Sequence, residues 1–146
     1  MIHNIVTAVS SRLNIYIKNR LMIDDDPVLV KNLVDLKGNV NDGIQNKIVA
    51  FLLSVEEEKI ARNKSANRAF NNPPIILNVN IMFAAFFSND SYVESLRYLS
   101  LVIEFFQKNP MFHFSDTPGL PISNSKLHVE IYNLNMDRIL IFVSHR

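Results

Sequence analysis

Cysteine and tryptophan are absent from the 146 residues, and glycine occurs only three times. Without cysteine the chain can form neither a disulfide nor a thiolate metal site, which fits a reducing compartment. Three glycines, Gly38, Gly43 and Gly119, are too few and too scattered for a phosphate-cradling loop. No apolar run reaches the roughly 20 residues needed to cross a bilayer, and the start, Met1 to Val6, lacks the pattern of a signal peptide. These absences predict a protein that is cytoplasmic at synthesis.

The charge balance is close to neutral, with 15 basic against 14 acidic residues and a net charge of +1. Proteins that bind nucleic acid usually present a basic stripe interleaved with aromatic side chains, and the sequence has no such stripe. With 48% hydrophobic and 20% charged residues, the composition is that of a globular protein. We therefore expect a single domain over residues 1–146, without nucleic-acid or membrane partners.

Residues that could carry catalysis or hold a metal are scattered along the chain. The four histidines pair neither with one another nor with an acid at a metal-ligand spacing: His3, His113, His128 and His145. Two runs of consecutive acids, Asp24 to Asp26 and Glu56 to Glu58, are typical of a solvated turn and a solvated strand end. The sequence therefore predicts no cofactor, no metal and no enzyme, and leaves a small hydrolase with an unrecognised site as an alternative.

Two segments carry a helical pattern. From Ile2 to about Leu21, apolar residues recur at steps of three and four and form one helical face, and the acidic run before Pro27 ends this helix. A second helix is predicted after Ser91 and Glu94, which have the spacing of a capping box, and it ends before Asn109. Its polar stripe is so narrow that we expect burial on several sides, against a sheet and a neighbouring subunit. A compact monomer with a rich core is the alternative.

The clearest strand signal is an alternation of period two from Ile75 to Phe87. Before it, Ile48 to Val55 is almost unbroken apolar, as in a strand that is covered on both faces. Together these segments predict a long antiparallel hairpin whose tip is the polar loop from Asn63 to Asn72.

Shorter strands complete the predicted sheet. They are Val28 to Val34, Met111 to Phe114 and Lys126 to Tyr132, the last with Leu127, Val129 and Ile131 inward, while Ile139 to Val143 forms a terminal helix turn or strand. The order is α-β-β-β-α-β-β. We expect an α+β fold with a single antiparallel or mixed sheet, a long hairpin and two packed helices.

The centre of the chain resembles a known family. The stretches from Pro73 to Phe87 and from Tyr92 to Gln107 are similar to the characteristic block of cap, or tail-terminator, proteins (N-terminal domain). These proteins belong to extracellular contractile injection systems of the antifeeding-prophage and Photorhabdus virulence cassette type. A Met-Ile-x-x-Ile start, the Asn32 to Asp35 segment and the Glu130 to Leu134 strand end follow the family's order. The resemblance runs from Met1 to about Asp137.

This resemblance implies a phage tail-terminator-like fold that assembles as a hexameric ring. The ring sits on the last layer of the inner tube and sheath, and it stops growth because only one of its faces matches the growing end. The implied partners are further copies of the chain, the inner tube protein and the sheath protein, within a phage tail-like particle. The alternative is a non-ring adaptor of the same apparatus that links the tube end, the sheath or a cargo.

The C-terminus departs from the family. Family members continue with a short helix that bears a tryptophan and with a final strand, whereas this chain ends with Ile139 to Arg146 and has no tryptophan. The departure implies a truncated or divergent C-terminus, and a lost strand would expose an edge of the sheet.

We expect the contacts of the assembly to come from the hairpin and the second helix, because strand edges readily join neighbouring sheets. The polar loop carries basic residues for docking, and a solvated hairpin tip is the alternative. The interface candidates are Arg62, Lys64, Arg68, Asn78, Asn80, Tyr92, Tyr98 and Phe105.

Overall fold

The computed structural model describes residues 2–57, 77–113, 126–133 and 141–143. Its helices are α1 (Ile2–Leu21) and α2 (Tyr92–Lys108), the second preceded by a 3₁₀ turn, Asn89–Ser91. The strands within these ranges are β1 (Val28–Val30), β2 (Lys47–Glu57), β3 (Leu77–Phe86), β4 (Met111–His113), β5 (Lys126–His128), β6 (Ile131–Asn133) and β7 (Ile141–Val143). Neither helix of the described part is long and apolar enough to cross a membrane.

The strands form a main sheet in the order β1-β2-β3-β7-β6 and a small sheet of β4 and β5. β1 runs parallel to β2, and all other pairs are antiparallel. Two helices packed on a mixed sheet without repeated strand–helix–strand units make an α+β fold, which confirms the predicted class. The sequence prediction was wrong in making Lys126 to Tyr132 one strand. β5 pairs with β4 whereas β6 pairs with β7, so the two strands belong to different sheets. The Val129 N–H extends the β4–β5 ladder by donating to the Pro110 carbonyl at 2.9 Å.

The helix α1 has the length and the buried face that its periodicity predicts. Ile5, Val9, Leu13 and Ile17 lie one helical turn apart, and all four are buried. The helix ends where Met22 adopts a left-handed φ of 54°, as is common just past a helix C-terminus.

An asparagine on α1 holds the first strand in place. The Asn14 side chain donates to the Val28 carbonyl at 2.9 Å and accepts from the Val28 N–H at 2.7 Å. These bonds dock β1 on the helix and align it for pairing with β2, where Val28 lies opposite Ile48. The paired strand ends at Val30 rather than at the predicted Val34.

A tight turn follows β1 a few residues after its end. The Asp35 carboxylate accepts from the N–H groups of Lys37 and Asn39, both at 2.8 Å, and the Asn39 N–H is the main reason that the pKa of Asp35 is lowered. Gly38 has a φ of 83° in this turn, which glycine adopts without strain. The backbone therefore turns back on itself, and Val34 forms an isolated bridge with Val40.

The hairpin of β2 and β3 is the centre of the fold. Its register runs from Lys47 opposite Phe86 to Glu57 opposite Leu77, with one shift at Leu53. One face of the hairpin packs on the helices, where Phe83 contacts Phe106 with ring centroids 5.3 Å apart. The buried cluster joins this face to both helices through Ile48, Ala50, Val79, Ile81, Phe83, Val102, Phe105 and Phe106. The predicted hairpin is confirmed for its described strands, and its predicted polar tip, residues 63–72, lies outside the described residues.

One expectation about burial was wrong. Ile48, Val49 and Ala50 are buried, but Leu52 and Val55 in the same strand are exposed, because β1 covers only the first part of β2. In the single chain, α2 is buried in its C-terminal half and exposed in its first turns, and its expected burial against a neighbouring subunit stays a prediction.

The start of α2 also differs from the predicted capping box. Ser91 occupies the N-cap position but makes no side-chain cap hydrogen bond. The preceding 3₁₀ turn gives Ser91 a φ of −112° and a ψ of 22°, which is not the extended conformation that a capping serine needs. Its hydroxyl instead accepts from the Ser88 hydroxyl at 3.3 Å.

Candidate functional site

The second half of β2, residues 51–57, has one edge that no strand in the described ranges pairs with. We call the outer edge of residues 51–57 the open edge. The first half is closed by β1, since the Ile48 N–H donates to the Pro27 carbonyl at 2.8 Å and the Ala50 carbonyl accepts from the Lys31 N–H at 3.3 Å. After Lys31 the chain turns away and the covering strand ends. The open edge therefore presents strand backbone groups that are available for pairing.

Apolar side chains border the open edge. Leu52, Leu53 and Val55 are 46%, 45% and 40% exposed, although they belong to one of the most apolar segments of the sequence. Contiguous exposed leucine and valine side chains on a strand edge mark an interaction site in a natural protein.

A row of polar side chains lies on the sheet face opposite the helices. We call Ser54, Glu56, Asn78 and Asn80 the polar row, in which Ser54 lies opposite Asn80 and Glu56 opposite Asn78. The Asn80 amide donates to the Ser54 hydroxyl at 2.7 Å and to the Glu56 carboxylate at 3.4 Å. Asn78 Oδ1 is buried from water and has no hydrogen-bond partner among the described residues. The polar row is thus rich in acceptors and lacks a donor at Asn78.

A second exposed apolar surface lies at the start of α2. Tyr92 and Val93 are 64% and 79% exposed, and Leu96 is also exposed. We call these three residues the helix patch. An ion pair between Arg97 and Glu94 at 3.5 Å flanks it. Because β3 runs from the distal part of the hairpin toward α2, the helix patch and the open edge lie near opposite ends of that strand.

A groove lies where β1 gives way to the open edge. It has a volume of about 770 Å³ and is lined by residues 32–36, Asn41 and Phe51. The exposed side chains of Val34 and Leu36 belong to the turn that forms its outer wall. The groove extends the apolar surface of the open edge toward the turn.

The predicted interface residues are placed differently by the structure. Asn78 and Asn80 lie in the polar row, and Tyr92 lies in the helix patch. Tyr98 is half-buried and stacks edge-on against Phe87 at 5.0 Å; burial raises its pKa, and the Glu94 carboxylate adds to the shift. The other basic candidates, Arg62, Lys64 and Arg68, lie outside the described residues.

Phe105 is a correction. It is only 4% exposed and packs against Tyr16, Phe106 and Phe112 with ring centroids 5.2 to 5.9 Å apart. It is a core residue between the two helices and offers no surface to a partner, because it lies on the inward face of α2.

The strongest charge cluster in the described ranges ties the helices together. Glu104 accepts from Lys108 on its own helix and from Arg20 of α1 at 3.1 Å. The hydrogen bond from Lys108, with those from Tyr16 and Arg20, lowers the pKa of Glu104 to about 2. The cluster of Glu104, Lys108 and Arg20 is thus an exposed ion-pair network that links α1 to α2.

The acids and histidines considered for a metal are dispersed. Asp26 is exposed and pairs with Lys18 at 3.1 Å, while His113 is exposed and His128 Nδ1 lies 3.8 Å from a Glu130 oxygen. Within the described part of the chain, no group of three or more histidine, aspartate or glutamate side chains is placed to hold a metal ion.

The sequence analysis missed the exposed residues Leu52, Leu53 and Val55. The signal that could have found them is the pair Leu52-Leu53 followed by Ser54, where the alternation of the strand breaks at the observed register shift. The continuous apolar run from Ile48 to Val55 was interpreted as burial on both faces. It fits equally well a strand whose second half is exposed in the single chain and is covered by a partner.

Comparison with known proteins agrees with the resemblance in the sequence. The family model described as Pvc16 N-terminal domain matches residues 4–141, and the chain therefore belongs to this family. The sequence finds no match among the curated proteins. Family membership makes the chain a structural component of a Photorhabdus virulence cassette, which is a phage tail-like particle.

Proposed function

We propose that this member of the Pvc16 family is a subunit of the terminator, or cap, ring that ends the inner tube and sheath of a contractile injection system. The observation that carries the proposal is the family match, which spans residues 4–141. The geometry supports it because two separate apolar surfaces, the open edge and the helix patch, are exposed in the single chain.

A cap subunit needs two kinds of contact, one with its neighbours in the ring and one with the end of the tube or sheath. A closed ring is built from heterologous contacts, in which a patch on one copy meets a different surface of the next copy. The helix patch suits the contact between copies because tyrosine, valine and leucine side chains on a helix pack by shape and apolar contact alone. The open edge remains for the second kind of contact.

The mechanism is steric. A closed ring offers one face to the last layer of the tube and sheath and another face that does not template a further layer. The core explains how a small chain can do this, since α1, α2 and the first half of the hairpin form one packed body that holds the two surfaces at fixed positions.

Mass measurement of the purified chain tests ring formation, by sedimentation and native mass spectrometry with and without inner tube protein. We expect a hexamer that binds to tube ends and limits tube length in electron micrographs. Val93→Lys places a charge in the helix patch and should leave the chain monomeric. The control is Ile15→Lys, which changes an apolar residue on α1 that is also exposed, at 61% against 79% for Val93, and should leave the ring intact. A chain that stays monomeric even with tube protein would refute the ring.

A non-ring adaptor is the second candidate, and the open edge is the observation that favours it. Strand addition joins one chain to one partner segment without any symmetry. If the chain is an adaptor, we expect a monomer or dimer that binds one partner tightly. Val93→Lys should then have the same oligomeric mass as the parent chain. The same mass measurement therefore separates the two functions.

A further inference from the structure

We propose that the open edge of β2 receives an extended segment of another protein of the particle as an additional strand. The segment is apolar at alternate positions and carries a lysine or arginine that faces Glu56. The inference rests on the proposed function for the identity of the particle, and on the hairpin geometry for the site.

The backbone of the open edge is oriented for pairing. Ile48 and Ala50 direct their backbone groups toward β1, and Leu52 continues this alternation. The register shift at Leu53 moves the pattern by one residue, so that Val55 and Glu57 take the same type of pair with β3 as Leu52 does. The outward N–H and C=O groups therefore belong to Leu52, Val55 and Glu57, and no described strand bonds to them.

The side chains around these groups favour an apolar strand. Leu52 and Val55 lie on the helix side of the sheet next to the buried core, and both are exposed. An added strand that carries valine or isoleucine at alternate positions would cover them and extend the core by one strand, as cross-strand pairs do within a sheet.

The opposite face calls for a basic residue. Glu56 lies on this face opposite Asn78 and is exposed, whereas Glu57 lies on the helix side with Leu52 and Val55. An ammonium or guanidinium group of the incoming strand would pair with the Glu56 carboxylate at the rim of the polar row. Charge complementarity thus selects a lysine or arginine at one position of the incoming strand.

A second copy of the same edge is a poor occupant. Antiparallel pairing of two open edges brings the Glu56 and Glu57 carboxylates against apolar or acidic neighbours and supplies no basic group to either carboxylate. It also creates a two-fold contact, which closes a dimer and does not build a ring. A segment of different sequence satisfies both the charge and the symmetry.

The test uses the full chain and synthetic peptides. The probe is a fluorescent peptide about eight residues long, with valine at alternate positions and lysine and threonine between them. One control peptide has glutamate in place of lysine, and another has N-methylated backbone amides on one edge. We expect the lysine peptide to bind, the N-methylated peptide to lose binding, and the glutamate peptide to bind at least about fivefold more weakly.

Variants of the chain separate backbone pairing from general adhesion. Val55→Pro removes an outward N–H that β3 does not use, which an edge strand tolerates, and should weaken the lysine peptide about tenfold. Val55→Thr keeps the N–H and the β-branched shape and should bind within about threefold of the parent. Glu56→Lys should reverse the preference toward the glutamate peptide, and this arm does not depend on the fold of the proline variant.

The outcomes are distinct. The inference would be overturned by equal binding of the lysine and glutamate peptides, or by unchanged binding of the lysine peptide to Val55→Pro. It would also be overturned if the open edge became protected on raising the chain concentration alone, because a second copy would then be the occupant. The mass of the assembled chain, measured on the same variants, tests ring formation independently of peptide binding. A monomeric chain that binds the lysine peptide keeps the inference and refutes the ring, whereas a ring that ignores the peptide does the reverse.

Discussion

The two halves of β2 are alike in composition and differ in what surrounds them. Ile48, Val49 and Ala50 are fully buried where β1 and β3 flank them, while Leu52, Leu53 and Val55 are exposed. The difference arises because β1 ends at Val30, after three residues, and the chain beyond it leads into the tight turn around Asp35. An apolar sequence alone therefore does not distinguish a strand segment that is buried in the single chain from one that is left exposed.

The largest effect should come from truncating the covered half of the hairpin. Phe83→Ala removes a ring that packs on Phe106 in the core, and it should lower the free energy of unfolding by about 3–5 kcal/mol. The matched change on the open half, Leu53→Ala, should cost about 0.5 kcal/mol or less. Urea denaturation followed by circular dichroism, at concentrations where the chain does not assemble, measures both.

Equal losses for Phe83→Ala and Leu53→Ala would show that the second half of β2 is packed in the single chain. The distinction between the halves would then fail.

A smaller effect is expected from two asparagines. Asn14→Ala removes both bonds to the Val28 backbone and leaves a buried strand end without partners, so it should cost about 2 kcal/mol. Asn80→Ala removes a half-exposed side-chain bond to Ser54 and should cost less than about 1 kcal/mol. Unfolding temperatures of the two variants make the comparison, and Asn14→Asp is a control that keeps one acceptor for the Val28 N–H.

The smallest effect on stability should come from removing Glu104 from the exposed ion-pair network between the helices. The pKa of Glu104 is lowered to about 2 in the folded chain, first by the hydrogen bond from Lys108. A carboxylate with a lowered folded-state pKa contributes stability that is present above its unfolded pKa, near 4.5, and lost as pH falls through the folded pKa. The difference in unfolding temperature between the parent chain and Glu104→Gln should therefore be constant above about pH 5 and shrink toward pH 2.

Glu94→Gln serves as the control for this pH profile, because Glu94 pairs only within α2. A difference between the parent chain and Glu104→Gln that grew on acidification would contradict the assignment.

Local patterns in the sequence predicted the parts of the fold that depend on local physics. The spacing of Ile5, Val9, Leu13 and Ile17 predicts α1, and the alternation up to Phe87 predicts the hairpin, because each is a repeated property of neighbouring residues. The family resemblance was confirmed by the match over residues 4–141.

Contacts distant in sequence decided the features that the sequence did not predict. The exposure of Leu52 depends on where β1 stops, and the burial of Phe105 depends on how α2 faces α1. The division of β5 from β6 depends on their different partners, β4 and β7. Among the interface candidates, Asn78, Asn80 and Tyr92 lie on exposed or partly exposed surfaces, but no pattern in the sequence could show which faces are left uncovered.

Amide hydrogen exchange along β2 tests the central claim most directly. It should be measured on the chain alone and on the chain bound to tube ends with sheath protein. We predict that residues 48–50 are protected in both states, whereas the outward amides of Leu52, Val55 and Glu57 exchange rapidly in the chain alone and become protected only in the complex. Protection of these three amides in the chain alone, or their continued rapid exchange in the complex, would contradict the account.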